Sequence, residues 1–168
     1  MLWNQKHNVN EEERKKERKK MTKEVCINIK SVQSSDEDKD VTELFTFGKL
    51  TRKESDGYEL YYEESDALGF EGCNVTLDVF KDSVRMIRSG NANSCLFIER
   101  GKKHHCHYGT PYGDIMIGIN ADAVCVDLDD SGGNLYLKYT VDVNSGFLSE
   151  NEMFITVTEN KKGSSERI

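Results

Sequence analysis

Four consecutive residues, His104-His105-Cys106-His107, form the densest group of reactive side chains in the sequence. Imidazole and thiolate are ligands that zinc prefers, and a cysteine beside a histidine can act as a nucleophile with its base. In an extended strand, however, His105 and His107 point to one face while His104 and Cys106 point to the other. Zinc needs three or four ligands, and no group that would orient a Cys106–His104 pair is evident. We therefore predict a solvated strand with one packed cysteine, no metal and no cofactor. His105 and His107 would be ligands only if neighbouring strands completed a site.

Arg88 is the second residue that could do chemistry, because it lies among Met86, Ile87 and Gly90, where a charge is costly unless it is paired. Its candidate partners are hydroxyls and a carboxylate, supplied by Tyr58, Tyr62, Glu64, Tyr112 and Tyr139. Two interpretations stay open. Arg88 and a glutamate form a structural ion pair that caps the fold, or Arg88 lines a lumen and holds the acidic head group of a ligand.

The elements that must position these residues are short strands, since apolar residues alternate with polar ones from residue 24 onward and no helix-length period of 3.6 residues occurs. Ten or eleven such segments are separated by turn residues. Asp56-Gly57, Asp130 to Gly133 and Asn144 to Gly146 are typical hairpin turns. Pro111, the one proline, predicts a corner that carries Tyr112 to one end of the fold.

Connections of two to six residues indicate an antiparallel meander, and a long meander has exposed edges unless it closes. We therefore predict an all-β protein with a single antiparallel barrel of about 8–10 strands. The barrel domain is expected to span residues 21–160, with a disordered basic tail at 1–20 and a disordered tail at 161–168. Phe45 and Phe47, on a segment that is apolar on both faces, suggest a bulge or a lid over one end.

The charge is unevenly distributed, because residues 1–20 carry seven lysines or arginines against four glutamates, while the remainder carries 16 basic against 26 acidic residues. An acidic barrel without a basic stripe disfavours nucleic-acid and anionic-membrane partners. Residues 11–20 are Glu, Arg and Lys, which can be encoded almost entirely by purines, and a purine tract just before Met21 is typical of a ribosome-binding site. We therefore predict a native start at Met21, with a genuine basic tail or an artefactual extension as the alternatives.

Five cysteines, an odd number without any C-x-x-C spacing, indicate thiols rather than a disulfide framework. No apolar run is long enough for a membrane span, and the first residues lack the apolar core of a secretory signal. We therefore expect a soluble protein of the cytoplasm whose thiols are buried.

Several motifs carry a resemblance to a known family. They are the string Tyr58 to Glu64, Gly69-Phe70-Glu71-Gly72, Ile87-Arg88-Ser89-Gly90, Thr110-Pro111-Tyr112-Gly113, Gly132-Gly133 and Tyr139. With these motifs the chain resembles the YwiB-like family of uncharacterised bacterial β-barrel proteins, from Met21 to about Asn160. The resemblance implies a calycin-like, lipocalin-like architecture and no assigned activity. The histidine cluster departs from the family's usual pattern.

Two classes of function remain. The first is a barrel that binds a small amphipathic or anionic ligand, with a cavity lined by Phe45, Phe47, Tyr62, Arg88 and Tyr139, and with Glu64 and Tyr112 as further candidates. The second is a filled barrel that acts as a protein-interaction module, which predicts an exposed apolar patch and no cavity. An enzyme is the third choice, and no catalytic residue is assigned.

Overall fold

The structure is a computed structural model, and it describes residues 21–64, 72–110 and 112–161. These residues form ten β-strands and no helix. The strands are β1 (Thr22–Ser34), β2 (Lys39–Arg52), β3 (Tyr58–Glu63), β4 (Asn74–Val79), β5 (Ser83–Ser89), β6 (Ser94–Glu99), β7 (Lys103–Thr110), β8 (Gly113–Asp129), β9 (Gly132–Val143) and β10 (Gly146–Glu159). The tail predicted at 1–20 lies outside the described residues, and so does all of the tail predicted at 161–168 except its first residue.

Each strand pairs antiparallel with its neighbour along the chain, and β1 also pairs with β10, which closes the barrel. The predicted all-β closed barrel is therefore confirmed. The segments around Ile117 and Val126 are one strand, not two, because β8 continues through a bulge between Ala121 and Ala123. The extra residue in this bulge moves the inward positions from odd to even numbers, which keeps both apolar series inside the barrel.

The hairpin turns lie where the sequence predicts them. Asp56 has φ 62°, and Asn144 and Ser145 have φ 52° and 64°, the left-handed values that short turns between twisted strands require. The segment from Asp130 to Ser131 joins β8 to β9. Successive connections between strands therefore lie at opposite ends of the barrel.

One end, called here the filled end, has a solid core. It lies nearest the β2–β3, β4–β5, β6–β7 and β8–β9 connections. Its inward side chains are aliphatic and almost fully buried, and they include Ile27, Leu50, Leu60, Leu77, Ile98, Leu135 and Leu137. Burial of this many large apolar groups is the main source of the barrel's stability.

A clasp of ionic hydrogen bonds crosses the rim of the filled end. Arg52, at the end of β2, binds both carboxylate oxygens of Asp130 in the β8–β9 turn, with Nε 2.7 Å from Oδ1. The hydroxyl of Tyr58 donates to the same Oδ1 at 3.0 Å. Burial raises the pKa of Asp130, but the hydrogen bonds from Arg52 and Tyr58 outweigh it, so that pKa lies below its usual value.

The seam between β6 and β7 is the least regular part of the barrel. A single residue pair, Ser94 with Tyr108, has ladder pairing there. Next to it the backbone N–H of Phe97 donates to Cys106 Sγ at 3.3 Å, so a thiol accepts the hydrogen bond in place of a backbone carbonyl.

All five cysteines are free thiols, but their predicted burial is only partly correct. Cys73 and Cys106 are buried, whereas Cys95 and Cys125 are exposed and Cys26 is half-buried. The apolar runs that contain the latter three are strands, and alternation turns these thiols to the outer face. Within the described ranges no helix is long and apolar enough to cross a membrane.

Candidate functional site

The other end of the barrel, called here the hollow end, contains a cavity of about 450 Å³. It lies nearest the β1–β2, β3–β4, β5–β6, β7–β8 and β9–β10 connections. Its wall is apolar over much of its area, through Ile29, Leu44, Met86, Leu96, Ile115, Ile117, Val141, Leu148 and Met153. Polar groups complete the lining, namely Ser31, Gln33, Thr42, Tyr62, Glu64, Arg88, Tyr108, Tyr139, Ser149 and Asn151.

An ion pair between Arg88 and Glu64 lies in this lining. Arg88 extends from β5, and Glu64 follows the end of β3. Arg88 Nη2 and Nε lie 2.8 and 3.2 Å from Glu64 Oε1. The exposed fractions of the two side chains are 14% and 4%, so the pair is withdrawn from water. Burial lowers the pKa of Arg88, but its bonds to Glu64 outweigh that cost and hold the guanidinium charged.

Two tyrosines lie beside this ion pair in the cavity wall. Burial raises the pKa of Tyr139 to about 12, with the nearby Arg88 charge opposing the shift. Burial likewise raises the pKa of Tyr62, and the Glu64 carboxylate adds to the rise. The Tyr139 hydroxyl points to the sulfur of Met153 at 3.9 Å, a weak acceptor. Both phenols are therefore neutral hydrogen-bonding groups at ordinary pH.

Two buried polar atoms next to Arg88 have no hydrogen-bond partner among the described residues. They are Glu64 Oε2 and Ser94 Oγ. Glu64 is bonded to Arg88 through its other oxygen, and Ser94 is the ladder partner of Arg88 on β6. A buried polar atom without a partner costs about 1–3 kcal/mol. Neither atom is open to solvent, and of the two residues only Glu64 lines the cavity.

Four residues singled out in the sequence come together in this cavity: Tyr62, Glu64, Arg88 and Tyr139. The structure provides the glutamate partner for Arg88 that one of the two interpretations requires. Their role in ligand binding stays a prediction.

Phe45 and Phe47 do not line the cavity, so the predicted lining was wrong at these positions. Their side chains are 64% and 53% exposed and contact each other edge to face, with ring centroids 5.6 Å apart. The reason is strand alternation, because Thr42 and Leu44 face the cavity and the odd-numbered residues of β2 then face outward. The suspected bulge is also absent from β2, which pairs with β1 without a register shift.

Tyr112 lies at the hollow end, as the sequence predicts, but its side chain is 99% exposed and does not line the cavity. Its backbone N–H donates to Thr110 Oγ1 at 3.2 Å, so the turn is stabilised by its own residues. Pro111, the predicted corner, lies outside the described residues.

The histidine cluster divides between two faces, as strand geometry predicts. His105 and His107 are exposed, while Cys106 is buried. His104 Nε2 lies 3.0 Å from Glu99 Oε1, and its ring contacts Phe97 edge to face. Burial raises the pKa of the Cys106 thiol, which keeps it protonated. In the part of the chain that the structure describes, no three His, Cys, Asp or Glu side chains are grouped for a metal.

Sequence reasoning missed the polar residues of the cavity wall. They are Ser31, Gln33, Thr42, Tyr108, Ser149 and Asn151. A signal for them exists in the sequence, because the inward series of β1 changes from Val25, Ile27 and Ile29 to Ser31 and Gln33. Polar residues that continue an inward apolar series indicate a barrel end that is not solidly packed.

The fold and this site define a closed ten-stranded antiparallel barrel with one solid end and one hollow end. Residues 27–155 match the family model described as "Domain of unknown function (DUF1934)", and the chain belongs to that family. The uncharacterised β-barrel protein YwiB of Bacillus subtilis (strain 168) is 26% identical over 134 residues, which cover 80% of this chain and 91% of YwiB. The crystal structure of the ywiB protein from Bacillus subtilis superposes with a TM-score of 0.74 and 22% identity. The superposition covers 84% of this chain and 95% of that one.

Proposed function

We propose that this protein binds a small amphipathic molecule inside the hollow end of its barrel. The observation that supports the proposal is the cavity of about 450 Å³, whose wall combines apolar side chains with one buried ion pair. Ligand sites in proteins have volumes of about 300–1,000 Å³ and combine an apolar wall with a few polar groups. The proposal also retains the calycin-like architecture predicted from the family resemblance.

The position of the ion pair argues against the prediction that the ligand is anionic. A lone Arg88 in the cavity would attract a carboxylate head group, whereas Glu64 already neutralises this guanidinium. A second carboxylate would lose its hydration and face the Glu64 charge, and Arg88 is the one cation among the described lining residues. An amphipathic ligand whose head group is not anionic fits this wall better.

A cytoplasmic location is part of the same proposal. All five cysteines are free thiols, and two of them, Cys95 and Cys125, are exposed. Exposed thiols persist best where the surroundings are reducing, as in the cytosol.

Filling the cavity tests the proposal. Leu44→Trp combined with Met86→Trp places two indoles in the lumen, because both residues line it. The matched control, Phe45→Trp with Ile87→Trp, uses the neighbouring positions on the same two strands, which face outward. N-phenyl-1-naphthylamine, an uncharged amphipathic fluorophore, should bind to the parent and to the control, and should bind at least about tenfold more weakly to the filled variant.

Native mass spectrometry of protein purified from its own host supplies the second measurement. A small molecule retained by the parent and by the control, but missing from the filled variant, supports the proposal. If the fluorophore binds equally to the filled variant and to the control, the cavity is not the binding site.

A second candidate function rests on the outer face. Phe45 and Phe47 form an exposed apolar patch, as expected for an interaction module. The solid barrel that was also expected for such a module is not found, because one end contains a cavity. Phe45→Ser with Phe47→Ser should then release a protein that co-purifies with the parent, while binding of the fluorophore is unchanged. No difference in the co-purifying proteins would remove this candidate.

A further inference from the structure

We propose that the ligand of this cavity is an uncharged molecule that is polar along one side only, with hydroxyl or carbonyl groups on one edge and an apolar surface on the other. This inference rests on the proposed function and specifies its ligand class. The polar edge would lie against one sector of the cavity wall, called here the polar sector, which consists of Ser31, Gln33, Thr42, Ser149 and Asn151.

The polar sector is continuous. Among the described lining residues, its members are all those that are polar but neither charged nor aromatic, and they lie on three neighbouring strands, β2, β1 and β10. Ser31 is the register partner of Thr42 on β2. Gln33 is the register partner of Asn151 on β10. These side chains therefore form one surface on one side of the cavity rather than a ring around its mouth.

Three side chains of the polar sector are available to a ligand. Gln33 and Thr42 are exposed, and Ser31 is half-buried. Within the part of the chain that the structure describes, none of these three side chains makes a hydrogen bond. Asn151, by contrast, donates to Ser149 Oγ at 3.0 Å. Hydroxyl and amide groups both donate and accept, so the three available side chains can bind a ligand hydroxyl in either role or a ligand carbonyl as donors.

The wall away from the polar sector is mostly apolar. It includes β6, β7 and β8, which are separated from the polar sector by β9 on one side and by β3, β4 and β5 on the other. These strands contribute Leu96, Tyr108, Ile115 and Ile117 to the lining. A ligand hydroxyl against the aliphatic groups would lose its hydration without gaining a hydrogen bond, which is unfavourable. The cavity therefore distinguishes one side of a ligand from the other.

The absence of charge from the polar sector favours an uncharged edge on the ligand. A charged group placed against these five side chains would lose hydration and meet no opposite charge on them. A hydroxyl or carbonyl group would instead exchange its hydrogen bonds with water for comparable ones with the protein.

Two isomers that differ only in the placement of their hydroxyls test the inference. 2,7-Dihydroxynaphthalene has both hydroxyls toward one long edge of its rings, whereas 2,6-dihydroxynaphthalene has them toward opposite edges. Both are uncharged at pH 7, because phenols lose their proton only near about pH 10. Positions 31 and 33 are about 7 Å apart along β1, since a strand rises about 3.4 Å per residue, and the hydroxyls of the 2,7-isomer have a similar spacing.

Isothermal titration calorimetry at pH 7 measures both affinities. The parent should bind the 2,7-isomer at least about tenfold more tightly than the 2,6-isomer, because the 2,6-isomer must turn one hydroxyl toward the apolar wall. The filled variant, Leu44→Trp with Met86→Trp, should bind neither isomer measurably, which identifies the cavity as the site of binding.

Ser31→Ala with Gln33→Leu removes two hydrogen-bonding groups from the polar sector. This variant should bind the two isomers with affinities that agree within about threefold. The matched control, Ser34→Ala with Asn28→Leu, makes the same kinds of change at positions of β1 that do not line the cavity, and it should keep the preference of the parent. A full preference retained by the first variant would mean that the polar sector does not recognise the hydroxyls.

Thr42→Val, a change of nearly equal volume, gives an independent measurement if the double variant does not fold, and it should reduce the preference severalfold. If the parent binds both isomers equally, or prefers the 2,6-isomer, the inference is wrong while the proposed function stands. The same conclusion follows if the parent binds the fluorophore but neither isomer. If the parent binds neither the fluorophore nor the isomers, the proposed function itself fails.

Discussion

The filled end and the hollow end are built from the same ten strands, yet their interiors differ in kind. At the filled end the inward residues are branched aliphatics such as Leu60, Leu77 and Leu137, each 0% exposed. At the hollow end the inward positions of the same strands become Glu64, Arg88 and other polar groups around a cavity. The same closed order of strands surrounds both ends, and the inward side chains fill one end and leave a cavity in the other.

Under the proposed function, the two ends divide stability and ligand binding between them. Close-packed aliphatic groups stabilise the barrel, and an existing solid core allows the other end to keep polar groups that a small fold could otherwise not tolerate. The four predictions that follow test this division, in order of decreasing expected effect.

Arg88→Met should have the largest effect, because it leaves the buried Glu64 carboxylate without its cation. Removing one partner of a buried pair costs about 3–5 kcal/mol. Urea unfolding of the parent, Arg88→Met and the double variant Arg88→Met with Glu64→Leu measures this. The double variant should recover most of the loss. A single variant as stable as the parent would mean that the ion pair does not support the hollow end.

Leu77→Ala and Leu44→Ala compare the two interiors directly. Leu77 lies in the solid core, so its truncation leaves a cavity and should lower the free energy of unfolding by about 2–5 kcal/mol. Leu44 is half-buried and already faces the cavity, so its truncation should cost only about 1 kcal/mol. Equal losses in urea unfolding would remove the energetic difference between the two ends.

Gly133→Val and Gly146→Val compare a hairpin at each end. Gly133 has φ 141°, and a Cβ there would lie 1.9 Å from the carbonyl oxygen of Asp127. We expect a loss of about 1–3 kcal/mol from the backbone strain. Gly146 has no left-handed φ, and the nearest atom to an added Cβ is 3.3 Å away, so its loss should be smaller. An unchanged thermal midpoint for Gly133→Val would contradict the strained turn.

Asp130→Asn should have the smallest effect, and that effect should depend on pH. The pKa of Asp130 is lower in the folded protein than in the unfolded chain, where it is about 3.9. The carboxylate therefore stabilises the fold above the unfolded pKa, and this contribution is lost as the pH falls through the folded pKa. The variant should melt below the parent at pH 7, and the difference should shrink below about pH 4. Asp127→Asn, an exposed change on the same hairpin, is the control. A pH-independent difference would contradict the proposed clasp.

Much of the fold could be predicted because strand patterns and turn chemistry are local. Alternation in Val25, Ile27 and Ile29 identifies β1 and its buried face, and Asn144-Ser145-Gly146 identifies a hairpin. The bulge in β8 at Asp122 was harder to predict, because a bulge and a turn both interrupt the alternation of apolar and polar residues in the same way.

The candidate site was predictable only in part. Tyr62, Arg88 and Tyr139 stand out because aromatic and charged residues continue apolar series. Phe45 and Phe47 misled the prediction, since β2 has apolar residues on both faces and its sequence does not show which face is inward.

By itself the sequence determined the strands and their turns, because these depend on neighbours within a few residues of each other. Closure was predicted on a different ground, because a long antiparallel meander has exposed edges unless its first and last strands pair. Only the tertiary structure decided that Arg88 meets Glu64, 24 residues away, and that Arg52 meets Asp130 across 78 residues. It also decided that one end is solid and the other hollow. These outcomes depend on which inward side chains share one level of the barrel, and that level is set by the register of all ten strands together.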